Sequence, residues 1–128
     1  MPVWSSPVRC VECDQQGVVF NAHYLVWADE AVNTWWADRG VDWPALIARG
    51  LDYFVVASAQ QWRASARWGD VVDVDAELAE LGRSSATVRF VVRVGERVCC
   101  EIRTTYVCTL DGRSTPWPEE VRELLGGN

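Results

Sequence analysis

Two periodicities follow one another along this chain, and together they leave few folds open. Over residues 22–39 apolar side chains recur at the i, i+3, i+4, i+7 spacing of a helix: Tyr24, Leu25, Ala28, Ala31, Val32, Trp35 and Trp36 share one broad face. His23, Glu30, Asn33 and Thr34 take the opposite side. From Tyr53 to Leu110 the period falls to two, the alternation of half-buried strands, in segments 53–66, 71–81, 84–94 and 97–110. The third is the cleanest, with Ala86, Val88, Phe90, Val92 and Val94 on one face. A helix with so wide an apolar face must be covered, and one face of a sheet is the cover this chain offers.

Local signals place the ends of these elements. Asn21 is an N-cap candidate for the long helix and Gly40 ends it as a C-cap. A strand over 3–12 precedes it, interrupted near Ser5-Ser6-Pro7, and a short helix over 41–50 follows, with Asp42 as N-cap, Pro44 in the first turn and Gly50 as the stop. Short turns at Arg67-Trp68-Gly69-Asp70, Gly82-Arg83 and Gly95-Glu96 make neighbouring strands antiparallel partners, and 118–125 reads as a closing helix. The class is α+β in one domain, 1–128, with no linker or repeat.

Charge and cysteine usage exclude several function classes. The net charge of −6 argues against a nucleic acid or an anionic membrane as partner. All 12 basic residues are Arg, which suits bidentate phosphate contacts and is equally the mark of codon bias. No apolar run reaches the length of a membrane span and no leader pattern opens the chain, so the expectation is a cytoplasmic protein. Five Cys without secretory features read as reduced thiols. Cys10 and Cys13 have CxxC spacing, but on an extended strand residues i and i+3 face opposite ways, and with a single His in the chain no metal site is expected.

Chemistry is expected where Asp14 meets the start of the helix. A carboxylate in a tight turn, Gly17 three residues on, and a helix opening a few residues later bring an acid to the positive end of a helix dipole. An activated acyl group needs little more, because free N–H groups can polarise its carbonyl while the carboxylate attacks. The bland alternative is that Asp14 is a turn former that satisfies backbone donors. The lone His23 and the absence of Gly-x-Ser-x-Gly leave no Ser-His-Asp triad to build.

The stretch Asp14-x-x-Gly17-Val18-Val19-Phe20-x-x-x-Tyr24, with Trp27-x-Asp29-Glu30-Ala31, resembles the signature of hotdog-fold acyl-CoA thioesterases of the 4-hydroxybenzoyl-CoA thioesterase and YbgC-like type. The segment from Trp62 to Val74, with its Gly69-Asp70 turn, and Leu81-Gly82-Arg83-Ser84-Ser85 extend the likeness over nearly the whole chain. The resemblance implies a five-stranded antiparallel sheet wrapped around a long central helix, and a homodimer paired through sheet edges with its active sites at the contact. Many members are homotetramers. It implies Asp14 as nucleophile or general base and the backbone N–H near Asn21, with the Gly17 turn, as the rest of the catalytic set. Relatives often carry His where Asn21 stands; Asn21 can donate to a carbonyl but cannot shuttle a proton.

Around this set, His23, Tyr24, Trp27 and Glu30 are candidate substrate contacts, and Trp62 is another. Arg83, Ser84 and Ser85, with Arg63 and Arg67, are candidates for the coenzyme A tail. Each has a plainer reading: a solvated His23 or Glu30, a core or interface Trp27, an ordinary polar turn at Arg83–Ser85. The expected function is hydrolysis of a small or medium acyl-CoA, aromatic acyl groups included, or of a carrier-protein thioester, with no cofactor beyond the coenzyme A of the substrate. The alternatives are a hotdog dehydratase or hydratase using His23 with Glu30, and a non-catalytic acyl-CoA-binding module.

Overall fold

The structure, a computed structural model, describes residues 1–126. Strand β1 (Trp4–Pro7) leads through a 3-10 turn (Cys10–Glu12) and the Asp14 loop into helix α1 (His23–Asp38), which a short helix α2 (Trp43–Ala48) follows. Four long strands come next, β2 (Leu51–Trp62), β3 (Val71–Leu81), β4 (Ser85–Val94) and β5 (Arg97–Leu110), then a two-residue β6 (Arg113–Ser114) and helix α3 (Glu119–Gly126). The strands form one antiparallel sheet in the order β1-β3-β4-β5-β2, with β6 on the end of β5.

The apolar face of α1 fills the hollow of that sheet, as the two periodicities require. Tyr24, Trp27, Ala28, Ala31, Val32, Trp35 and Trp36 are buried on the helix. They meet Val72 and Val74 from β3, Ala86, Val88, Phe90 and Val92 from β4, and Cys100, Ile102, Tyr106 and Cys108 from β5, all buried. Trp36 is the hub of the far half of this core, within 5.0–6.3 Å of the rings of Trp35, Trp43, Tyr53, Tyr106 and Trp117. The hotdog architecture implied by the sequence resemblance is the one observed.

Three local expectations are overturned. The strand expected over 3–12 ends at Pro7, because Cys10–Glu12 winds into a 3-10 turn closed by Cys13 N–H donating to the Cys10 carbonyl at 3.1 Å. Cys13 is the extended residue that closes this turn, and both thiols are free. The helix cap at Asn21 is not made: Ala22 is the N-cap and no side chain caps it. Finally β2 and β3 do not pair, although a four-residue turn lies between them in sequence. β2 leaves the sheet at Trp62, four residues before the expected end of the strand, and pairs with β5, so β3 lies beside β1 instead. That crossover puts residues 63–70 over the Asp14 loop, where Val18 bridges to Arg67 and Val19 N–H donates to the Ala66 carbonyl at 2.9 Å.

Candidate active site

The Asp14 loop is a small hairpin. Asp14 N–H donates to the Val18 carbonyl at 2.8 Å, Gly17 N–H donates to the Asp14 carbonyl at 3.0 Å, and Cys13 bridges to Val19. Gln16 N–H donates to Asp14 Oδ1 at 2.8 Å, so the carboxylate closes its own turn through one oxygen. Gly17 sits at φ +78°, the left-handed region, which is why glycine stands there. Its N–H is occupied by the Asp14 carbonyl, so Gly17 shapes the loop rather than donating to a substrate.

From this loop Asp14 opens onto a cleft of about 570 Å³ whose walls include Phe20, Asn21, Tyr24, Trp62 and Arg63. The chain turns into α1 at the floor of the cleft. His23 N–H donates to the Phe20 carbonyl, while the N–H groups of Asn21 and Ala22 meet no protein acceptor among the described residues. Trp62 Nε1–H donates to the Asn21 carbonyl at 3.0 Å and so sets the orientation of the peptide that begins the helix. Tyr24 is buried, its hydroxyl accepting from Ala66 N–H at 3.0 Å, which ties α1 to the crossover segment. The cleft thus brings together an exposed carboxylate, Asn21 with its N–H unpaired among the described residues at the start of the helix, and an indole wall, the parts that polarisation and attack of an acyl carbonyl need.

The sequence-level candidates divide. Asp14, Asn21, Tyr24, Trp62 and Arg63 line one cleft. Arg63 is held there by Glu101 Oε2 at 2.6 Å and Gln61 Oε1 at 2.9 Å. Trp27 does not reach the cleft: it is buried, edge-on to Tyr24 and His23, and packs the core. Glu30 lies in a separate depression with Trp4, Ser6, Arg9 and Val26, because it is more than a turn beyond Tyr24 and on another face of α1. Arg83, Ser84 and Ser85 stand at the far end of the sheet within this chain, separated from Asp14 by the length of β3, roughly 30 Å. Their backbone carbonyls are taken by Trp117 N–H, Cys108 N–H and Trp117 Nε1–H respectively.

A buried carboxylate that the sequence did not single out lies beneath the Asp14 loop. Glu12 is 3% exposed. Its Oε1 accepts Arg9 N–H at 2.6 Å; its Oε2 meets His23 Nε2 at 2.6 Å, Trp27 Nε1–H at 3.1 Å and Arg9 Nη2 at 3.1 Å. Burial by itself would raise this acid, but the Arg9 guanidinium and backbone N–H, with the Trp27 and His23 donors, outweigh it and hold the carboxyl down at about 2. His23 therefore faces inward to Glu12 rather than outward or toward Glu30. A signal for this existed in the sequence: His23 and Trp27, one helical turn apart, put two N–H donors on one face.

Burial pushes the Cys100 and Cys108 thiols up to about 11, so neither is a nucleophile at neutral pH. Among the described residues no group of three or more His, Cys, Asp or Glu stands close enough to hold a metal ion.

Known proteins share this fold. The model of the thioesterase-like superfamily matches residues 8–125. A putative esterase of Aquifex aeolicus is 23% identical over 123 residues, 96% of each chain. Among solved structures, a hypothetical protein from Thermus thermophilus superposes with a TM-score of 0.92 at 31% identity over 97% of this chain and 96% of its own. A thioesterase from Thermus thermophilus, solved with coenzyme A and zinc, superposes with a TM-score of 0.85 at 25% identity over 97% and 91%.

Proposed function

As a member of the thioesterase-like superfamily this chain is a thioester hydrolase, and we propose that it cleaves a small or medium acyl-CoA, aromatic acyl groups included, or the same acyl group on a carrier protein. Asp14 is the reacting carboxylate, and the N–H groups of Asn21 and Ala22 receive the carbonyl oxygen. The observation that carries this reading is the single cleft shared by the acid and the helix start, with both amides unpaired among the described residues.

The chemistry follows from that placement. A thioester carbonyl seated on the two amides gains from their hydrogen bonds and from the partial positive charge of the α1 terminus, about half an elementary charge. Asp14 Oδ2, free of the turn, either adds to the carbonyl carbon or takes a proton from an attacking water. In both routes the tetrahedral oxyanion rests on the amides, and the coenzyme A thiolate leaves as the carbonyl reforms. The direct route gives an acyl–Asp14 anhydride that water then opens.

A second copy of the chain completes the site in this reading. β2 is an edge strand, and Phe54, Val55 and Val56 on it are about half exposed, an edge that invites pairing. If two chains pair antiparallel along β2, the sheet of the partner runs the opposite way. Its Arg83–Ser85 turn then stands at the end of the joint sheet where this chain carries Asp14. Contacts from that turn to the phosphates of the coenzyme A tail are thereby possible between subunits and not within one.

The dehydratase alternative needs a His and an acid facing the substrate. His23 is paired with Glu12 beneath the loop and does not line the Asp14 cleft. The deciding experiment is release of free thiol from a panel of acyl-CoA esters by wild type and by Asp14→Asn. Turnover by the wild type and its loss in the variant supports the proposal; full turnover by the variant removes Asp14 from the mechanism.

A further inference from the structure

The Asp14 hairpin carries its acid on a tip with little packing of its own. Asp14, Gln15, Gln16 and Gly17 are all exposed. What holds the hairpin lies at its base: Val19, buried against the core, and Glu12, whose carbonyl accepts Phe20 N–H at 3.0 Å. Of the two, Glu12 is the one whose side chain hydrogen-bonds to the helix. Its carboxylate joins two pieces of chain, taking the Arg9 N–H before the hairpin and the His23 and Trp27 donors in the first turn and a half of α1.

We propose that Glu12 is a positioning residue for the hydrolysis, clamping the base of the Asp14 hairpin to the start of α1 so that the acid and the oxyanion amides keep their mutual placement. The inference rests on Asp14 and the helix amides being the reacting groups. The other link between them is indirect: Val19 N–H donates to the Ala66 carbonyl, and Ala66 N–H donates to the Tyr24 hydroxyl on α1. The ground-state cleft is bounded by Phe20, Tyr24 and Trp62, none of which hydrogen-bonds to the Glu12 carboxylate, so substrate binding depends on it less than turnover does. Misplacement of reacting groups by about 1 Å costs on the order of a hundredfold in rate.

The test is a set of variants assayed well below their melting temperatures with the acyl-CoA turned over best by wild type. Glu12→Gln retains an acceptor for one donor but loses the charge that gathers all four contacts. It is expected to lower kcat by tenfold or more, on the order set by that sensitivity to placement, while KM stays within about twofold. Trp27→Phe keeps the ring and removes one donor, and His23→Leu removes another; each is expected to lower kcat with KM nearly unchanged. His23→Asn, which restores an N–H donor, is expected to recover part of the loss. Wild-type kcat in Glu12→Gln, or a fall in melting temperature with no change in kcat across the variants, overturns the proposal and leaves Glu12 a residue of the fold. If Glu12→Gln does not fold, Trp27→Phe and His23→Leu decide by the same criterion. Asp14→Asn is run beside them: turnover retained there sinks the Asp14 reading itself, whereas an inactive Asp14→Asn beside a fully active Glu12→Gln sinks only the clamp.

Discussion

At Asp14 a single atom separates chemistry from turn-making. Asp14→Asn keeps the oxygen that accepts Gln16 N–H and removes the charge. We expect kcat to fall by about a hundredfold or more with little change in melting temperature, measured by thiol release and thermal unfolding of the same preparation. Glu12 predicts a pH dependence. Its folded value, about 2, lies below that of an unfolded glutamate, so its contribution is complete at neutral pH and is lost as pH falls from about 4.5 toward 2. The melting-temperature gap between wild type and Glu12→Gln should therefore shrink on acidification through that range, and a gap that stays constant would contradict the buried pairing. Thiols offer a third check. Cys10 is exposed and Cys13 half-buried, while Cys99, Cys100 and Cys108 are buried, so a maleimide should label the first two in the native protein and all five only on unfolding. Asp14 was legible from its turn and the helix that follows. Glu12 was not, because two of its three partner residues lie 11 and 15 residues along the chain and become neighbours only when the hairpin folds onto α1.

At the scale of elements, periodicity located the interiors well and the ends less so. The stripe on α1 and the alternation on β4 are largely realised, since each depends on which face meets the core, but Trp27 is buried where Leu25 is only partly so, and on β4 Val94 is half-buried while Thr87 is buried. Trp36 is the largest single stake in that contact: Trp36→Ala should destabilise the fold by about 3–5 kcal/mol in urea unfolding, because the surrounding rings cannot collapse into so large a void. Ends follow from backbone partners instead. Asn21 has the right side chain for a cap, yet its carbonyl is drawn to Trp62, 41 residues away, and Ala22 takes the capping position. Gly50, by contrast, was read correctly as a stop. It lies at φ +86°, and a Cβ there would come within 2.6 Å of Asp111 Oδ1, so Gly50→Ala is expected to cost about 1–2 kcal/mol through backbone strain.

Over the whole molecule the prediction concerns assembly. The free outer edge of β2, with Phe54, Val55 and Val56 exposed, should join a second copy, so wild type is expected to sediment as a dimer or a higher multiple of one. Phe54→Asp with Val56→Asp should yield a folded monomer with much reduced turnover; a wild-type monomer with full activity would remove the shared-site reading. Amino-acid order alone determined the long apolar helix, the period-two strands, the α+β class and the acid at the helix start, because these rest on contacts within a few residues or on which face is apolar. Tertiary structure alone decided that β2 crosses to the far edge of the sheet, that Trp27 serves the core, that Arg83–Ser85 lie at the opposite end from Asp14, and that Glu12 holds the hairpin to the helix. Each of those outcomes depends on which distant segments come to lie side by side, and side-chain identity along the chain carries no distance between segments until the sheet closes around α1.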